Sequence, residues 1–477
     1  METLMTFYKN QSIEKKSAIW LAICNVVNKG ISLIVVPIYT RILSQEEYGT
    51  YSVFLTWLDL FTIIATLEIS RGHYPVGITK YDNDINRYTS SMLGLSSLIT
   101  MLFIGVFLIF QKPLVSFIGL PGNIVFMTLL FLFVFPAWEF WRIQERFKYH
   151  YKKMVFVTLL ISAVTPIVGI LGITAFKKGL YSAIYSRLVI QGVVAIALYF
   201  MFIRQNNIVF NKEYWKEAFT FNIVLIPYFL STTVLNQADR IMINDMVGSA
   251  EAAIYSVAYS ISMLMLLVNN AISDSFLPWI YRKLKEKSYK SIEPTTNKLL
   301  LLVAGFNLLL ILFAPEAIAI FAPIKYQQAI WIIPPLTSST FFMFLFQRYI
   351  NVEMYYGATK SNSSVSICVA FLNILLNYFC IRKWGYFAAA YTTLISYIVF
   401  ALLHYFVVRR VCKNNCSNIQ IFKFGFSAII GALFVLISFA LMLLYPYAFI
   451  RYFLISVCLI AVFLQRKKLL AIIKQRI

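Results

Sequence analysis

Apolar runs long enough to cross a bilayer recur from residue 17 to residue 464, with only short, mostly basic connections between them. A helix needs roughly 20 apolar residues to span hydrocarbon. Lipid offers no partner to backbone polar groups, so such runs fold as helices that satisfy their own N–H and C=O groups. The expected fold class is therefore all-α, a polytopic membrane protein embedded in the lipid bilayer. Of the 477 residues 60% are hydrophobic and 13% charged, too little polar surface for a water-soluble enzyme. The net charge of +22 would suggest nucleic acid in a soluble protein. Here the Lys and Arg sit in connections and at helix ends, where membrane topology explains them, and no nucleic-acid partner is expected.

The runs predict fourteen spans, at about 17–41, 49–70, 89–110, 122–141, 154–175, 179–203, 217–240, 250–281, 298–315, 328–347, 362–381, 385–408, 424–444 and 447–464. An even number puts both termini on one side. That side carries 31 Lys and Arg against nine opposite, with Lys29 and Arg187 inside spans. The asymmetry places both termini in the cytoplasm, the N-terminal residues as a retained tail.

An internal repeat supports two halves. Glu47, Tyr51, Ser52 and Val53 in span two recur as Glu251, Tyr255, Ser256 and Val257 in span eight, at a constant offset. Thr66 and Ser70 correspond to Asn270 and Asp274 at the same offset. The expected domains are an N-lobe at 1–203 (spans one to six), a C-lobe at 204–408 (spans seven to twelve), and a helix pair at 409–477 as an appendage.

Polar residues spaced by three and four mark helix faces that avoid lipid. Span one carries Asn25, Asn28, Lys29 and Ser32; span two carries Thr56, Asp59, Thr62, Thr66 and Ser70. Span seven carries Asn236, Asp239 and Arg240, and span eight Tyr255, Tyr259, Asn269, Asn270, Ser273 and Asp274. A charge facing lipid costs at least about 2.5 kcal/mol, so these stripes are expected to line a central cavity. Packing between helices competes with that reading for any single Ser, Thr or Asn. Lys29 is too deep to snorkel, and Arg187 is a second in-span cation without a stripe.

Missing motifs also constrain function. There is no P-loop, HExxH or GxSxG, so nucleotide hydrolysis and the common hydrolase chemistries are not expected. Cys412 and Cys416 lack a second Cys/His pair to complete a metal site. His73, His150 and His404 lie near span ends and read as snorkelling or solvated.

The stretch Pro37-Ile-Tyr-Thr-Arg41-Ile-Leu-Ser-Gln-Glu-Glu47-Tyr-Gly49-Thr-Tyr51 resembles the amino-terminal signature of the bacterial polysaccharide transporter family. Asn236-Gln-Ala-Asp239-Arg240-Ile-Met-Ile, Ala253-Ile-Tyr255-Ser-Val-Ala-Tyr259 and Pro278-Trp-Ile-Tyr281 are similar to it as well. Tyr355-Tyr356-Gly-Ala-Thr-Lys360 looks like the connection after span ten, although Ala358 stands where the family often has a further basic residue. These are the flippases of O-antigen and related lipid-linked oligosaccharides, in the MOP superfamily with the MATE drug antiporters and lipid II flippases. The resemblance implies two six-helix lobes in a V, alternating access, and location in the cytoplasmic (inner) membrane. The implied cargo is an undecaprenyl-diphosphate-linked glycan moved to the outer leaflet, and a polysaccharide polymerase is a candidate partner.

That cargo suits the stripes. Lys29, Arg41 and Arg240 would hold the diphosphate, and Asn25, Asn28, Tyr255, Tyr259 and Asn270 the sugars. No catalytic residue, metal or cofactor is expected. Directional transport would draw on an H+ or Na+ gradient or on consumption of the product outside; for a gradient, Asp59 is the leading coupling site, Asp274 the second or a gate, and Asp239 and Arg187 are further charged candidates. Two rivals remain: a drug or organic-cation antiporter of the same fold, which an acidic cavity would favour, and a membrane-embedded polymerase or ligase. The short outer connections weigh against the latter.

Overall fold

The computed structural model describes residues 12–206, 208–416 and 419–464. The expected N-terminal tail and the basic C-terminal residues 465–477 lie outside the described residues. Every element among the described residues is helical. The first nine helices are α1 (Ile13–Ile42), α2 (Gln45–Ala65), α3 (His73–Lys80), α4 (Ile85–Ile109), α5 (Gln111–Ile118), α6 (Gly122–Phe147), α7 (Tyr151–Phe176), α8 (Gly179–Gln205) and α9 (Lys212–Met246). They are followed by α10 (Ser249–Ser262), α11 (Leu264–Lys285), α12 (Ile292–Leu312), α13 (Ala314–Phe321), α14 (Ile333–Tyr355), α15 (Thr359–Trp384), α16 (Phe387–Asn415), α17 (Phe424–Met442) and α18 (Ala448–Leu464).

Each expected span overlaps a helix, but length and apolarity qualify 12 spans among the described residues, or 13 with a pair bent by 49° at Ile324–Trp331 and α14. The last segment, α18, has 17 residues. Span eight is one membrane span, Ser249–Lys285, in which a single turn residue, Met263, separates α10 from α11. Span two ends early, at Ala65, because Leu67 and Glu68 adopt positive φ (53° and 47°) and turn the chain. The helices α2 and α10 begin at equivalent places in the repeat, after Ser44 and Gly248.

The chain divides into two compact units at Thr233/Val234, within α9. In the first, α8 packs on α7 and α6, α1 on α7, and α4 on α6. Glu47 locks α2 to α8: its carboxylate accepts from Ser44 N–H (3.0 Å) and from Leu180 N–H (3.2 Å) at the start of α8. A Cβ on Gly179 would lie 1.8 Å from Glu47 Oε1, so that approach requires glycine. The first half of α9 is tied down by Glu217, which accepts from Lys80 (2.5 Å) and Tyr81 (2.9 Å), and by Trp215, which donates to Ser91 O (2.9 Å).

In the second unit α14 is the central helix, packed by α16, α12, α11, α10 and α17. Its Thr337, Ser338, Ser339 and Thr340 are fully buried, and their small size lets neighbouring helices approach. Thr340 donates to Asn307 Oδ1 on α12 (2.7 Å), and Asn269 on α11 donates to Thr340 O (2.8 Å). The helix pair expected as an appendage belongs to this core. Phe434 of α17 stacks on Phe341, and Arg451 of α18 reaches both oxygens of Glu316 at 2.8 Å.

Candidate transport site

In the first unit the exposed Asn25 and Lys29 and the half-buried Asn28 lie along α1. Asn28 Nδ2 donates to Cys24 Sγ (3.8 Å), while Ser32 Oγ donates to Asn28 O (2.9 Å). Arg41 is exposed and donates to Pro37 O (2.7 Å), which ties the last turn of α1. Arg187 is half-buried and lies against the Tyr51 hydroxyl, with Nε unpartnered. Asp59 is exposed on α2; Glu68, by contrast, is buried and pairs with Arg71 at 2.9 Å. Glu139 accepts from Arg142 at 2.9 Å, a local pair one turn apart on α6.

His73 is buried, contrary to the solvated reading, and its ring nitrogen Nδ1 is 2.8 Å from Tyr88 Oη. Burial pushes its imidazole below the ordinary histidine range despite Glu217 nearby. On the same short helix, the bond to Glu217 holds Lys80 above the usual lysine range.

In the second unit Asp239, Arg240, Tyr255 and Tyr259 come together. Asp239 is 1% exposed, yet it is more than a neutraliser of Arg240. Its Oδ1 accepts from Asn377 Nδ2 (2.6 Å), and its Oδ2 accepts from Thr393 Oγ1 (2.7 Å) and from the Tyr255 hydroxyl. The Tyr255 hydroxyl is thus committed to the carboxylate rather than open to sugar. Arg240 is half-buried with its guanidinium 4.4 Å from the centroid of Tyr259. Behind this group Thr392 donates to Asn377, and Asn377 and Asn373 lie one turn apart on α15. Asn270 and Asp274 are exposed on α11.

Two buried charges were hidden by a span boundary. Ending span ten at residue 347 made Arg348 and Glu353 read as loop residues, but both lie inside α14 and are 0% exposed. His404, expected near solvent, is 0% exposed on α16 with Nδ1 3.0 Å from both Glu353 oxygens. The partners of Asp239 were missed for another reason. Asn373 and Asn377 in span eleven, with Thr392, Thr393 and Ser396 in span twelve, show the same three-and-four spacing that singled out spans one and two. Among the described residues no group of three His, Cys, Asp or Glu side chains could hold a metal.

Residues 15–284 match the family model described as polysaccharide biosynthesis protein, more than half of the chain. The chain belongs to this family. The capsular polysaccharide biosynthesis protein CapF of Staphylococcus aureus is 21% identical over 412 residues, 82% of this chain and 98% of that protein. A Shigella flexneri protein named a candidate O-antigen transporter is 22% identical over 417 residues, 83% of this chain and 98% of its own length. Among solved structures, the lipid II flippase MurJ in an inward closed conformation matches with TM-score 0.67 at 16% identity, covering 94% of this chain and 100% of that one. An inward-facing MATE multidrug transporter matches with TM-score 0.64 at 14% identity, covering 83% and 98%. The family member described here therefore shares the helical fold of these two transporters and is a multi-pass membrane protein.

Proposed function

We propose that the protein is a flippase that carries an undecaprenyl-diphosphate-linked oligosaccharide from the inner to the outer leaflet of the cytoplasmic membrane by alternating access. The observation that carries this reading is the family match joined to a MurJ-like fold with cations inside its helices. A diphosphate bearing sugars cannot enter hydrocarbon unless the protein replaces its water shell. Lys29, Arg41 and Arg240 serve the phosphates in this reading, with Asn25, Asn28, Tyr259 and Asn270 toward the sugars. A cationic path suits an anionic headgroup better than the organic cations of a drug antiporter. Asp239 is the ion-coupling carboxylate. Its buried site is where a proton or Na+ would change the charge that three donors read, whereas Asp59 and Asp274 are exposed.

Proteoliposomes loaded with undecaprenyl-diphosphate-linked glycan test the transport. The protein is expected to bring inner-leaflet glycan within reach of an external lectin, and Lys29→Ala or Arg240→Ala to slow this with the protein still inserted. Equal exposure with and without the protein would end the flippase reading.

Orientation is a separate proposal: fourteen crossings with both termini cytoplasmic. The 31-to-9 charge count loses only Arg348, now within α14, from the cytoplasmic side. A reporter fused at Asn415 is expected to read cytoplasmic, and a periplasmic signal there would refute this topology.

A further inference from the structure

Arg348 is a fully buried cation, about 10 Å from the end of α14 at 1.5 Å per residue. A guanidinium brings five N–H donors and no acceptor. Here Nη2 donates to Ser273 Oγ on α11, while Nε and Nη1 are buried without an acceptor. The Phe344 and Phe276 rings stand 4.4 Å and 5.5 Å from the guanidinium carbon and supply only their π faces. Glu353, on the same helix, is taken by His404. The carboxylate whose field reaches Arg348 is Asp274, exposed and adjacent to Ser273.

Burying a cation with so few acceptors costs several kcal/mol, and a hydrophobic side chain there would be more stable. Stability therefore does not account for Arg348; an anion that arrives during the transport cycle does. The route is built into the helices. α11 continues the same span as α10 after a single turn residue, Met263, and carries Pro278, two points at which it can bend away from α14.

We propose that Arg348 and Ser273 form a binding site for the diphosphate of a polyprenyl-linked cargo, opened when α11 moves, with Asp274 as the competing anion that reclaims Arg348 and expels the headgroup. The proposal rests on the flippase reading above. Each free guanidinium nitrogen would gain a charge-assisted bond to phosphate, and the Ser273 hydroxyl would turn from acceptor to donor.

The test uses the full chain in phosphatidylcholine nanodiscs with undecaprenyl diphosphate as probe and phosphatidylglycerol as competitor. Wild type is expected to bind the probe, and Arg348→Leu to weaken binding at least about tenfold, the loss of one interaction of ~1.4 kcal/mol, without a lower melting temperature. Arg348→Lys is expected to bind better than Arg348→Leu, and Asp274→Asn to bind more tightly than wild type. Binding by Arg348→Leu equal to wild type overturns the site and leaves the flippase reading standing. Wild type that takes up no undecaprenyl diphosphate overturns both. Full displacement of the probe by equimolar phosphatidylglycerol would make this a general phospholipid site and also overturn the proposal. Should Arg348→Leu fail to fold, Ser273→Ala and Asp274→Asn decide: unchanged affinity in both refutes it.

Discussion

Asp239→Asn is expected to stop gradient-driven glycan transport while the protein still folds and inserts. The substitution keeps shape but removes charge. The carboxylate accepts from Asn377, Thr393 and Tyr255, and hydrogen bonds to a charged group contribute about 1.5–3 kcal/mol each. An amide keeps its oxygen toward Asn377 and turns its NH2 toward the Thr393 and Tyr255 hydroxyls, which must then accept instead of donate, so the charge-assisted bonds on that side are lost. The loss of a single bond of that size corresponds to roughly 10- to 100-fold in rate if it distinguishes the two conformations. Proteoliposomes with an imposed proton or sodium gradient measure it directly. Asp59→Asn, exposed on α2, is expected to retain most of the response. A wild-type response in Asp239→Asn, or the reverse ranking of the two variants, would return the coupling role to Asp59.

The second large effect concerns stability. Glu353→Ala leaves the buried His404 without its partner, and breaking a buried pair costs about 3–5 kcal/mol. A clear drop in melting temperature in detergent is expected. Glu353→Leu combined with His404→Leu removes both partners and is expected to melt closer to wild type than either single change, because only a half-broken pair is expensive. Equal melting of Glu353→Ala and wild type would show that the pair contributes nothing to the fold.

Hydropathy made the helical fold legible because lipid leaves a chain so few choices. Every expected span overlaps a helix, although several ends differ by five to eight residues, and the repeat offset located the starts of α2 and α10. Hydropathy could not see the one-residue turn at Met263, since apolar periodicity runs straight across it, nor the turn at Leu67 and Glu68. The site was legible only where a charge fell inside an apolar run. Asp239 and Arg240 qualified; Arg348 and Glu353 did not, because the expected span ended at residue 347 and the helix runs on to Tyr355. Exposure could not be read at all. Asp59 and Asp239 look alike on their stripes, and only packing separates the surface carboxylate from the one with three donors.

The Glu353–His404 pair also has a bearing on how the chain is made. An Arg adds about 2.5–3.5 kcal/mol to membrane insertion at a helix centre and less toward an end, and α14 carries Arg348 seven residues and Glu353 two residues from its last residue. The partner of Glu353 lies 51 residues later. At about 5–20 residues per second, α14 waits roughly 3–10 s for α16 to leave the ribosome. During that interval α14 is the segment of the nascent chain most in need of a companion, whether the translocon channel or an insertion chaperone.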